Sequence, residues 1–196
     1  SYRMYMEDYP SFEYNVEKAK VLLAEAGYDG EEIVYRFPLN YYLLSTEAAQ
    51  AMQQMWKQAG LNVKLEPVEN WGQVRAVEGE GHIRPWSNTH RMPDPLGSFV
   101  PQWGVLSGIQ NNSRLQERQW DAPAAFNDAQ NVILTSTDWD ERQRAYRAAL
   151  DIWVDEAPGT MLYNPLETYA MRKDITWKPY GLYYMDLRPY NLLFGE

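Results

Sequence analysis

Cysteine is absent from the 196 residues. Its absence excludes disulfides, thiolate nucleophiles and cysteine-based metal sites together. Histidine is scarce, with two residues, His82 and His90, and no cysteine or acidic cluster joins them into a metal-ligand set. No segment is long and apolar enough to span a bilayer. No signal peptide is legible at Ser1, so the chain reads as mature or truncated. Positive charge is also short: 18 Lys and Arg face 27 Asp and Glu, for a net charge of −9. That balance argues against nucleic acid, whose phosphates require cations, and suits solubility. Glycine-rich phosphate loops are missing, since Gly79-Glu80-Gly81 reads only as a turn. Ser107, in Val105-Leu106-Ser107-Gly108, lacks the pattern of a nucleophile elbow. Asp151 and Asp155 share a helix face, where they read as solvated charge. The chain therefore offers no catalytic constellation, reads as a non-enzyme and calls for no cofactor.

Aromatic residues are plentiful, with 15 Tyr and 8 Trp, whose flat amphipathic faces line ligand clefts as well as cores. The length suffices for one sizeable core or two small ones. Residues 1–14 are Tyr-rich and irregular, and read as a linker or the lead-in to a lobe. Asn15–Tyr28 carries the signals of a complete helix. Asn15 can cap it, Glu17 suits the positive end of the dipole, and Gly27 can stop it. Val16, Ala19, Leu22, Leu23 and Ala26 fall on one face. Ile33–Pro38 and Leu61–Leu65 read as strands, flanking a helix capped by Ser45 or Thr46 and stopped by Gly60. This βαβ unit predicts a parallel pair. A short helix over Trp71–Glu78 and a third strand over His82–Trp86 follow. Ser87–Asn112 reads as a long loop, of a length that is usually functional or disordered. Asp121 can cap a helix running to about Thr135. Asp138 with Glu141 forms a capping box for a helix ending near Pro158. Met161–Asn164 and Thr168–Met171 read as strands, and the remaining tail is irregular.

The letters from Lys18 through Leu22-Leu23 to Glu25-Ala26-Gly27-Tyr28 resemble a segment of the family 5 extracytoplasmic solute-binding proteins. These are the oligopeptide, dipeptide and nickel type of ABC-transporter receptor. Gln58-Ala59-Gly60-Leu61-Asn62-Val63 resembles the family's helix-to-strand step. Trp86 followed by Pro93-Asp94-Pro95 resembles its tryptophan and aspartate-proline pair. Asp138 to Pro158, then Met161-Leu162-Tyr163, resembles its closing helix and strand. The resemblance implies an α/β fold: a periplasmic-binding-protein-like C-terminal lobe, with a mixed, mostly parallel sheet flanked by helices. Residues 15–196 would form that lobe, as a fragment of a larger two-lobe receptor. It implies a periplasmic or extracytoplasmic protein that captures a small-molecule solute, such as a peptide or oligosaccharide, between two lobes. The solute is then delivered to an ABC permease in the inner membrane. Two other readings stay open: a ligand-sensing module of a transcriptional regulator, and an α/β hydrolase.

The resemblance also directs attention to particular residues. Where dipeptide-binding relatives hold the ligand carboxylate with an arginine, this chain has Tyr41, followed by Tyr42; either can contact ligand or pack. Where those relatives hold the ligand ammonium with an aspartate after the Trp, this chain has Asn88, Thr89 and His90. Asp94 matches the aspartate-proline pair and suits a turn-stabilising role. With both charge anchors missing, the pattern points to a longer peptide held by backbone contacts, or to another polar solute. Nickel-binding relatives use a histidine in this loop region, which makes His90 a ligand candidate or an ordinary loop histidine. His82 reads as structural. Trp86 and Trp103 can stack on a solute, and Trp103 can instead pin its loop to the core. Asn112 can hydrogen-bond ligand, Arg75 can reach the cleft, and Arg84 and Arg91 suit an anionic ligand.

Overall fold

The computed structural model describes residues 4–10, 13–75, 81–89, 91–111, 120–164, 166, 168–179 and 185–195. They form two compact units, Asp8–Ser87 and a second that joins residues 4–7 to Asn88 and beyond.

The first unit begins with α1, Val16–Glu25. Asn15 caps it as its side chain suggests, with Oδ1 accepting from the Lys18 amide at 2.9 Å. Gly27, at φ 72°, ends it: the Gly27 amide donates to Ala24 O and the Tyr28 amide to Leu23 O. This is a Schellman closure. The apolar face of α1 is only partly covered, and none of its residues is fully buried. β1, Ile33–Pro38, pairs in parallel with β2, Val63–Val68. Between them runs α2, Ser45–Ala59, closed by Gly60 at φ 102°. The expected cap at Ser45 or Thr46 is not made. Leu44 occupies the N-cap in a left-handed conformation without a side-chain bond, which leaves Ser45 inside the helix.

Tyr35 and Phe37 of β1 point to one face and pack with Ala49 and Val63, joined by Met52, Trp56 and Leu61. Val34 and Arg36 point the other way and are also buried. Burial on both faces is the mark of a parallel strand covered from two sides. Arg36 is buried together with its charge and pairs with Glu66 at 2.8 Å. The expected third strand is a single parallel bridge, Ile83 beside Tyr35. His82 supports it: its Nδ1 accepts from the Val34 amide at 2.9 Å, a structural role. On the other side, the Ile33 amide donates to Asn62 O and the Leu39 amide to Val68 O. The even-numbered residues of β2 therefore face β1, and Pro67 faces outward. α3, Trp71–Val74, follows, fastened by a reciprocal capping box between Asn70 and Gln73.

The second unit is helical at its centre. The long loop expected after Ser87 contains a 3-10 turn, Pro95–Gly97, and α4, Phe99–Trp103. α5, Ala124–Thr135, starts at Pro123 without a side-chain cap, so Asp121 does not fill that role. α6, Trp139–Glu156, is capped by Asp138. Glu141 does not reach back to the Asp138 amide directly. It binds the Ser136 hydroxyl, which accepts from that amide. Phe99, Trp103, Phe126, Ile133, Ala149 and Trp153 make the core. Residues 161–164 and 168–171 form no strand, contrary to expectation. Pairing falls instead to β3, Ile175–Trp177, and β4, Leu192–Phe194, which are antiparallel. Met4 and Met6 are buried. The fold is α/β, with a small parallel sheet in the first unit.

Candidate functional site

Three chain segments leave the parallel sheet at its carboxyl end, and their aromatic residues meet there. After β1, Asn40 takes a left-handed turn at φ 53°, which delivers Tyr41 and Tyr42 with ring centroids 5.3 Å apart. After β2, the capping box fixes α3, and with it Trp71, whose ring lies edge-on to Tyr41 at 4.7 Å. After the Ile83 bridge comes Trp86, 5.5 Å from Trp71. Ser87 closes the group: its Oγ shares a 2.5 Å hydrogen bond with the Tyr41 hydroxyl, which also accepts from the Ser87 amide at 3.2 Å. Crevices at the carboxyl ends of strands are where open α/β sheets hold ligands. A run of Tyr and Trp there offers planar apolar faces with polar tips.

Two cations border the rings. The Arg75 guanidinium lies 5.5 Å from the Trp71 centroid and 5.4 Å from that of Trp86. Arg84 lies 5.3 Å from the Trp86 centroid on its own account. All three distances are within cation–π range. Desolvation, and then the positive charge of Arg75, pull the Arg84 pKa below its ordinary value. Trp86 itself is 45% exposed.

Of the residues singled out from the sequence, Tyr41, Tyr42, Arg75 and Trp86 come together, with Arg84 beside them. Trp71 was missed. Its signal was the Asn70 cap directly after a strand, which places the next residue at the sheet's carboxyl end. Asn88, Thr89, Arg91 and Trp103 belong to the second unit. Asn88 is turned onto its own segment, donating to Ser98 O at 3.2 Å. Arg91 is exposed, and its amide donates to Gly97 O. His90 and Asn112 lie outside the described residues.

Trp103 takes the second of its two expected roles. At 9% exposure it is core, packed edge-on against Trp153 at 5.3 Å and Trp120 at 6.0 Å. It cannot stack on a solute from there. Asp94 stabilises its turn as expected, accepting from the Leu96 amide at 3.0 Å. Both of its carboxylate oxygens also accept from Arg142 Nη2, each at 2.8 Å. Asp94 is thereby occupied, which removes it from any catalytic carboxylate pair. No group of His, Asp and Glu among the described residues could hold a metal ion, and no described helix is long and apolar enough to cross a membrane. A shallow hollow lined by Tyr169, Met171, Trp177, Met185 and Leu192 is mostly apolar. It lacks the convergent polar groups of a ligand site.

The chain resembles the dipeptide-binding protein of Escherichia coli K12, with 25% identity over 177 residues, 87% of this chain. It resembles di/tripeptide-binding protein 2 of Pseudomonas aeruginosa UCBPP-PA14 similarly, with 26% identity over 181 residues, also 87% of this chain. It spans 32% of the length of each of these curated relatives. Among solved structures it resembles the periplasmic binding protein DppA of Helicobacter pylori in complex with the peptide STSA. That match has a TM-score of 0.62 and 24% identity, and covers 79% of this chain and 30% of that one. The model for bacterial extracellular solute-binding proteins, family 5 middle, matches residues 2–107, more than half of the sequence, and the chain belongs to that family.

Proposed function

We propose that this chain is part of the solute-binding component of an ABC importer, working outside the cytoplasm. It would capture a peptide-like or other polar solute and deliver it to the permease. Residues 15–196 would contribute one lobe of a two-lobe receptor, closing over the solute from one side. The role is binding and release, with no bond made or broken.

The observation that carries this reading is the convergence of Tyr41, Tyr42, Trp71 and Trp86 at the carboxyl end of the parallel sheet. Membership of a solute-binding family supports it, as do the names of the relatives, which bind dipeptides and di- or tripeptides. Tyr41 and Trp71 can supply planar contact without the arginine that pairs with a dipeptide carboxylate in such relatives. A solute held by stacking and backbone contacts fits these residues.

Native mass spectrometry of the gently purified full-length protein tests the reading. A co-purified peptide is expected, and its loss on Trp71→Ala or Trp86→Ala. Retention of the solute by both variants would reject the aromatic group as the site. A bound oligosaccharide would keep the importer role but change the cargo.

A further inference from the structure

We infer that Tyr41 is a positioning residue of this site: its hydroxyl, joined to Ser87, sets the Trp86 ring in place before a solute arrives. The inference rests on the ligand-facing reading of the aromatic group given above and names what holds that group in shape.

The segment that carries Trp86 lies beside β1 through a single parallel bridge, Ile83 with Tyr35. There the Ile83 amide donates to Val34 O and the Arg36 amide to Ile83 O. Trp86 follows beyond Pro85, which has no N–H to continue a ladder. The Tyr41 hydroxyl takes over at that point. It shares a 2.5 Å hydrogen bond with Ser87 Oγ and accepts from the Ser87 amide at 3.2 Å. That amide belongs to the peptide unit joining Trp86 to Ser87, so the bond fixes the backbone at the indole itself.

These contacts close on themselves. Tyr41 meets Trp71 edge-on at 4.7 Å, and Trp71 meets Trp86 at 5.5 Å. Trp86 is covalently joined to Ser87, and Ser87 returns to Tyr41. Residues from three separate segments thus form one circuit, in which each fixes its neighbours. Asn40 delivers Tyr41 to it through a left-handed turn at φ 53°, a conformation that asparagine tolerates better than most residues. A ring already immobilised loses less freedom when a solute binds, which strengthens binding without adding a contact. The Tyr41 hydroxyl therefore serves Ser87, while the Tyr41 ring serves the aromatic platform.

The test is an NMR titration of the uniformly 15N-labelled chain with Ala-Ala-Ala, following the Trp86 indole N–H signal, which Trp86→Phe assigns. Tyr41→Phe keeps a ring beside Trp71 and removes only the hydroxyl. It is expected to weaken Ala-Ala-Ala about fivefold, the order of one hydrogen bond. Ser87→Ala should weaken it less, because its amide can still donate, and Ser87→Thr, which keeps a hydroxyl, should bind as the native chain does. The double variant should bind no more weakly than Tyr41→Phe, since both changes open the same circuit. Without peptide, the heteronuclear NOE of the Trp86 indole should fall in Tyr41→Phe, the sign of a freer ring.

Affinity lost in Tyr41→Phe but untouched in Ser87→Ala would make the hydroxyl a direct solute contact and overturn the inference. So would losses that add in the double variant. A lowered urea midpoint with unchanged affinity and NOE would assign the pair to fold stability alone, and overturn it as well. Each of those results leaves the aromatic group standing as the site. A Trp86 signal unmoved by Ala-Ala-Ala in the unsubstituted chain would overturn the ligand-facing reading and this inference together.

Discussion

At the scale of single residues, arginine–carboxylate pairs tie the structure together at several points. Arg142 is the structural extreme. It grips Asp94 through two 2.8 Å contacts and donates from Nε to Ile133 O at 3.0 Å, so it joins α5, α6 and the 3-10 turn. Asp94→Ala removes both the partner of a mostly buried guanidinium and the cap of the turn. It should cost about 3 kcal/mol, read as a lower urea midpoint with an unchanged slope. Asp94→Asn should cost less, because an amide oxygen can still accept from the Leu96 amide. Asp186 offers a pH handle. Its pKa is held well below the ordinary carboxylate range, first by the Arg188 hydrogen bond and then by that of Tyr190. An acid depressed in the folded state stabilises above its unfolded value, about 3.9. That contribution fades as pH falls toward the folded value. The Tm advantage of the native chain over Asp186→Asn should therefore be present at pH 7 and shrink from about pH 4 downward; a gap that widens in acid would contradict it. Site residues were only half legible at this scale. Tyr41 and Trp86 stood out beside breaks in pattern, whereas Trp71 read as one more helical residue. Trp103 showed the reverse: flanking Pro101 and Gly104 suggested exposure, and tertiary packing buried it.

At the scale of elements, the sequence spoke most clearly where local chemistry settles the outcome. Asn15, Gly27, Gly60 and Asp138 mark helix ends, and each does so in the structure. Gly60 sits at φ 102°, a conformation that a side chain opposes. Gly60→Ala should destabilise by about 1–2 kcal/mol. Gly108→Ala, at a glycine with open space around it and no positive φ, should be close to neutral in the same thermal melts. The caps expected at Ser45 and Asp121 failed because Leu44 and Pro123 set the chain direction one to two residues away. The β1–α2–β2 unit was legible because each strand carries alternating apolar residues and short connections bound the helix. β3 and β4 were not: each has three residues, too few for a period to emerge. They are specified by pairing between distant segments, Ile175 with Phe194 and Trp177 with Leu192.

At the scale of the whole molecule, the chain spans 32% of its curated relatives. The proposed site, at the carboxyl end of one small sheet, would cover a solute from one side only. Calorimetry on this chain alone should therefore find weak binding, with Kd near or above about 1 mM, where complete pockets bury most of a ligand's surface. Nanomolar affinity would show that the segment is sufficient by itself. A final consequence follows from Pro67. Its backbone nitrogen lies on the side of β2 away from β1, where no strand pairs among the described residues, and it has no N–H to offer. An incoming strand from a neighbouring molecule would find a gap in the hydrogen-bond ladder at that position. The edge is thereby blunted against templated, amyloid-like growth, and replacing that proline with valine should raise the chain's tendency to form fibrils under crowding.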